Sequence, residues 1–267
     1  MIAAGFAPAP RATMADQMWP MVAFSGALCV LALAGMAIDD RVLGEANVWV
    51  KPLKFAVSFA LYFATLALVV DRMGAAARQG WVLRIGLGVA VVAMIGEMGY
   101  LFMSAGQGVA SHFNFSDTFR ARMYSIMGVG AVLLMLVVAL TGWLAWRDRD
   151  AAMGPNLRLG VLLGFAASTV LTLVTAGVLS SNSGHFVGVP GPEAGTIPVL
   201  GWSTSVGDLR PAHFLALHAM QAIPLLGWLA DRRGWTRVAV PLGTLAYGAL
   251  TAAVFVQAMA GLPLIRL

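Results

Sequence analysis

Apolar residues run along this chain in seven long blocks with short polar breaks between them. Each block approaches the roughly 20 residues that a helix needs to cross a bilayer. The blocks fall near 19–38, 54–70, 82–104, 122–146, 158–180, 211–230 and 238–261. The pattern predicts an all-α polytopic membrane protein, a seven transmembrane helix bundle forming one domain over 1–267. The breaks are too short and too even to hold a soluble module. One connection is long, from about 181 to 210, and its Gly184, Gly188, Pro190, Gly191, Pro192, Gly195, Pro198, Gly201 and Gly207 argue against a regular helix. Loops of that length tend to be functional, and Trp202 with the apolar run 197–200 favours a segment folded back on the bundle as a lid.

Composition agrees. The chain is 60% hydrophobic and 11% charged, with a mean hydropathy of +0.82, outside the range of soluble domains. Residues 1–17 have no basic start followed by a short apolar core, so no cleaved leader is expected and the first span is read as its own anchor. The lone Cys29 lies within that span, which excludes an internal disulfide, a CxxCH haem attachment or a thiolate cluster. No Lys/Arg run is present, so the basic balance points to topology and not to nucleic acid.

Arginines collect in the loops after spans two, four and six: Arg72, Arg78 and Arg84, then Arg147, Arg149 and Arg158, then Arg232, Arg233 and Arg237. With Arg11, this side holds ten of the 17 basic residues. The positive-inside rule makes it cytoplasmic, with the N-terminus inside. The outer side then gathers the histidines: His112 after span three, His185 in the long loop, and His213 and His218 on span six. A site, on this reading, opens outward.

Glu97 is the sharpest signal, a lone carboxylate in the middle of VVAMIGEMGYLFM. An intramembrane carboxylate needs a partner or a proton. At about 1.5 Å per residue it lies roughly 10–12 Å below the outer end of its span, and His218 lies at about the same depth on span six. Lys54, near the outer end of span two, and Gln221, one turn beyond His218, are placed to join them. Glu97, His218 and Lys54 are therefore the candidate catalytic residues. His112, His213 and His218 are the candidate cofactor and metal ligands, and this set admits haem or a transition metal without choosing one. Asp117, Asp208 and Gln221 are the supporting polar residues. Asp117 suits an N-cap of span four, and Asp208 with Pro211 a helix start for span six. His213 and His218 are five apart, about 140° around an ideal helix and about 7.5 Å along it, poor geometry for sharing one metal. The methionines at 94, 98, 103, 123, 127 and 220 are read as packing residues, and Gly160 and Gly164, a GxxxG pattern, as close helix contact.

WVKPLKF at 49–55, SHFN at 111–114 and GDLRPAHFLALHAMQ at 207–221 (GDLRxxHFxxxHxxQ) resemble a family of bacterial multi-span membrane proteins. The resemblance covers most of the chain and implies a membrane fold in the bacterial plasma (inner) membrane. It brings no activity or ligand set with it. The HxxxH that closes the ceramidase and adiponectin-receptor type of seven-helix hydrolase is absent, as is a span-seven lysine for a retinal Schiff base. Three functions stay open. One is a membrane enzyme or redox protein with a haem or metal cofactor and a small-molecule substrate. The second is a transporter or sensor using Glu97, Lys54 and His218 for a proton or ligand. The third is a non-catalytic subunit of a membrane complex. The lipid bilayer is a partner under all three.

Overall fold

In a computed structural model, the described residues are 14–44, 46–182, 184–191, 195–197 and 200–266. Arg11 and most of the segment read for a leader lie outside them, as do Pro192, Pro198 and part of the 197–200 run of the long loop. A 3-10 turn at Met14–Gln17 leads into α1 (Met18–Ile38), and a small hairpin of β1 (Val42–Leu43) and β2 (Ala46–Asn47) follows. Then come α2 (Val50–Val70), the single turn α3 (Ala75–Arg78), α4 (Trp81–Gln107), α5 (Thr118–Arg147) and α6 (Pro155–Ser181). The long connection holds β3 (Phe186–Val187) paired antiparallel with β4 (Gly207–Asp208), and α7 (Arg210–Arg233) and α8 (Ala239–Met259) complete the bundle.

Seven of these helices are long and apolar enough to cross a membrane. This is an all-α polytopic integral membrane protein. Its outward faces carry residues such as Val30, Val92, Leu225 and Leu245, all exposed, as a surface solvated by lipid tails requires. Sequence neighbours pack in order, α1 on α2, α4 on α5, α5 on α6, and α6 most extensively on α7, while α2 also meets α4 and α5. Phe63, Leu66, Leu87, Met94, Leu101, Val138 and Phe165 form the core among these helices. Met98, Met127 and Met220 are buried in the same core.

The closeness of α6 to α7 has a specific cause. A Cβ on Gly160 would stand 2.9 Å from the Ile223 carbonyl oxygen, one on Gly164 2.9 Å from that of Ala219, and one on Gly227 2.4 Å from that of Asn156. The GxxxG pair thus seats α7 of the same chain, and Pro224 rides in the groove it leaves. Helix ends are specified locally. Asp117 caps α5 by accepting from Arg120 N at 2.9 Å. Asp231 reaches across from α7 to accept from Asn156 N and Leu157 N at the start of α6. Gly108 and Gly234 close α4 and α7 in the left-handed conformation, φ 68° and 65°.

Alternation of the spans gives the bundle two unlike ends. The α1–α2, α4–α5 and α6–α7 connections form a histidine end. The connections from α2 to α4, α5 to α6 and α7 to α8 form an arginine end.

Candidate functional site

Helix α2 begins at Val50, about one turn earlier than its hydropathy suggests, because Pro52 falls in the first turn, where a missing N–H costs nothing. Lys51 and Lys54 are therefore both helical, and they do different things. Lys54 is exposed and donates from Nζ to the Leu200 carbonyl at 2.9 Å, tying the long loop to α2. Lys51 is half-buried and interacts electrostatically with Glu97 on α4, His112 in the α4–α5 connection and His185 in the long loop. Three groups on three separate elements lie in the field of that one ammonium.

Glu97 is 6% exposed. Among the described residues no hydrogen bond or close ion pair reaches its carboxylate. Its Oε1 lies against Gly130 of α5, where a Cβ would stand 3.4 Å from it. Tyr100 and Ser104 follow at the three- and seven-residue spacings that share a helical face with Glu97. Tyr100 Oη and Ser104 Oγ are buried with no hydrogen-bond partner. Buried polar groups are ordinarily satisfied, so one face of α4 presents a carboxylate and two hydroxyls that no hydrogen bond engages among the described residues.

His112 lies in the α4–α5 connection, its Nδ1 3.1 Å from Ser111 Oγ and its ring near Phe55 and Tyr124 at centroid distances of 5.6 and 5.9 Å. Burial, with the Lys51 ammonium adding to it, holds the His112 pKa down at about 3. The His185 ring meets Phe186 edge-on at 4.2 Å. Burial, then the charges of Arg210 and Lys51 working against Asp208, holds its pKa at about 4. Both imidazoles are neutral at neutral pH. The unfolded chain binds protons at these histidines near pH 6.5, well above where the folded protein does, so their share of stability is intact above about pH 6.5 and is lost as pH falls towards their folded values. The unfolding temperature in detergent is expected to drop between about pH 7 and pH 5, and to drop less in a His112→Asn, His185→Asn double variant. Equal slopes for the two proteins would refute the assignment.

The long loop is anchored by Asp208, whose side chain is 1% exposed. Its carboxylate accepts from Ser203 N at 2.9 Å, from Arg210 N at 3.0 Å and from Arg210 Nη2 at 2.6 Å. Arg210 Nη2 also donates to the Gly201 carbonyl at 2.5 Å, and its guanidinium lies over the Phe186 ring at 5.2 Å. Gly207 presses on the end of α8, where a Cβ would strike the Ala258 carbonyl. The loop is folded onto the bundle at the histidine end, with Trp202 edge-on to Phe214 of α7.

The remaining candidates are distributed among separate networks. His218 Nδ1 lies 3.2 Å from Gln221 Oε1, and Gln221 Nε2 donates to Thr65 Oγ1 of α2 at 2.9 Å, so this pair bridges α7 to α2. The Phe214 ring lies tilted against His218 at 4.2 Å. His213 Nδ1 lies 3.1 Å from Thr175 Oγ1 on α6. Asp117 is committed to Arg120, through its cap and through an ion pair, and Arg120 in turn reaches Gln107. His112, His213 and His218 thus have three different neighbours, and among the described residues no group of three His, Cys, Asp or Glu is arranged to hold a metal ion. Lys51, Tyr100 and Ser104 escape a linear reading of the sequence. The one available signal was Pro52, which moves the start of α2 back far enough to make Lys51 helical.

The chain is similar to a phosphatidylglycerol–prolipoprotein diacylglyceryl transferase of Rhodopirellula baltica, with 26% identity over 111 residues, 42% of this chain. The match spans only 20% of that protein's length. No family model and no solved structure matches the chain.

Proposed function

We propose that this integral membrane protein is an enzyme whose acid–base site lies at the histidine end, and that it acts on a substrate carried in the membrane. The carrying observation is Glu97, a buried carboxylate that no hydrogen bond reaches among the described residues, in the field of Lys51 and on one face with the Tyr100 and Ser104 hydroxyls, which find no partner there either. Glu97 takes and returns a proton, Lys51 stabilises negative charge that develops beside it, and the two hydroxyls orient a polar group of the substrate. Neutral His112 offers a further hydrogen-bonding nitrogen from the α4–α5 connection. The partial similarity to a transferase named for phosphatidylglycerol and prolipoprotein supports a lipid-borne substrate and group transfer as the reaction class. The reading needs no metal. A haem or metal version would draw on His112, His213 and His218, which have separate neighbours. With the arginine end in the cytoplasm of a bacterial inner membrane, the site opens to the outer leaflet.

The test is lipid mass spectrometry of liposomes made from a bacterial lipid extract and holding the purified protein. New or depleted lipid species are expected with the native chain and not with Glu97→Gln. Profiles identical to protein-free liposomes would defeat the enzyme reading. They would favour a proton or ligand relay, for which the His218–Gln221–Thr65 bridge between α7 and α2 is the supporting observation.

A further inference from the structure

The arginine end holds a cavity of about 700 Å³ whose walls include Arg147, Arg149, Arg158 and Arg237 with Trp146 and Met153. Two of the arginines are fixed in place. Arg158 donates from Nε at 2.9 Å and from Nη2 at 2.5 Å to the Trp146 carbonyl, and Arg147 lies over the Trp143 ring at 5.1 Å. Arg149 and Arg237 make no hydrogen bond, ion pair or ring contact among the described residues. Among the described residues no carboxylate lines this cavity. Asp148 accepts instead from Gly74 N and Asp150 N, and Asp231 is occupied capping α6.

Arginines that only orient a chain across a membrane have no reason to wall one cavity without a counter-charge. Four permanent cations on a shared wall repel one another unless an anion neutralises them, and the guanidinium fork matches phosphate oxygens in particular. A second, smaller cavity of about 320 Å³ adjoins the first through Arg147, and its lining is mainly apolar, with Trp81, Val82, Leu83 and Leu144 beside Asp148. Trp81, Trp143, Trp146 and Trp235 are exposed around this end, which sets it at headgroup depth in a bilayer.

We propose that the arginine-lined cavity binds a phosphoryl anion, supplied by the headgroup of an anionic phospholipid whose chain follows the adjoining groove or by phosphate free in solution. The site lies at the opposite end of the bundle from Glu97 and does not depend on the enzyme reading.

Native mass spectrometry of the full chain released from detergent tests it, with phosphatidylglycerol, phosphatidylcholine or inorganic phosphate added. Phosphatidylglycerol is expected to be retained about tenfold more strongly than phosphatidylcholine, since each basic residue near an anionic headgroup contributes a substantial part of such a preference. Arg149→Gln with Arg237→Gln should abolish the preference, Arg149→Lys with Arg237→Lys should keep part of it, and Gly248→Ala, on an open face of α8, should leave it unchanged. Displacement of the lipid by inorganic phosphate assigns the site to the free anion, and persistence of the lipid assigns it to the headgroup. Equal retention of the two lipids together with no phosphate adduct, or a Gln double variant indistinguishable from the native chain, overturns the proposal.

Discussion

Replacing Glu97 by Gln is expected to abolish turnover, by about a hundredfold or more, while the helix bundle still forms. Gln keeps the volume of the side chain, and no protein hydrogen bond to the carboxylate is lost, because none reaches it among the described residues. Removing a buried charge lifts a desolvation cost, so the unfolding temperature should hold or rise slightly. Lys51→Met is expected to lower turnover by a comparable factor of about a hundred, since it strips the cation in whose field Glu97 lies and leaves His112 and His185 without their shared neighbour. Lys54→Met is the control. It severs one bond to the Leu200 carbonyl at an exposed site and should change turnover by no more than about threefold. The readouts are the initial rate of lipid conversion and the melting curve of each variant in the same detergent. A Lys54 variant as inactive as the Lys51 variant would transfer the role to the loop contact. An active but unstable Glu97→Gln would make the cluster structural.

The seven spans were legible because bilayer thickness and helical rise fix their length. Their ends were less so. Helices α2 and α5 both begin about one turn before their apolar blocks, and in both the first turn is polar yet satisfied, by Pro52 needing no acceptor and by Asp117 supplying one. That shift decides which lysine turns inward. With α2 starting at 54, Lys51 reads as a loop residue and Lys54 as the inward lysine. The helix as formed places Lys51 half-buried and Lys54 exposed. Glu97 could be found from sequence, since a lone carboxylate in an apolar block needs no knowledge of its neighbours. Its partner could not, because the contact between α2 and α4 is tertiary. The same divide runs through α7. The three-residue spacing of His218 and Gln221 is visible on one helix, but Thr65 at the far end of their bridge is not. The arginine bias was plain as a topology signal, whereas its convergence on one cavity depends on how α5, α6 and the α7–α8 connection meet.

Gly227 is the position where one added methyl should do most damage to the fold. Its Cβ would stand 2.4 Å from the Asn156 carbonyl oxygen, 2.9 Å from the Asn156 carbonyl carbon and 3.0 Å from Leu157 Cα. All three are backbone atoms in the first turn of α6, so no rotamer change relieves the clash. The two helices must separate. Doing so strains the bonds by which Asp231, one turn further along α7, caps that same turn, and it loosens the seat of Pro224 against Gly160 and Gly164. Overpacking of this kind costs about 3 kcal/mol, the upper part of the usual range. Gly160→Ala meets the other side of the same contact, so the double variant should cost less than the sum of the two. Gly248→Ala on α8 has nothing within 4 Å and is expected to be neutral or slightly stabilising. Because lipid tails give helices no hydrophobic reason to associate, close backbone approach through small residues is what holds α6 to α7. This contact positions Thr175 for His213 and holds α7 where Gln221 reaches Thr65. Unfolding temperatures of the four proteins decide it: if Gly227→Ala melts with Gly248→Ala, the α6–α7 seam is not what organises this half of the bundle.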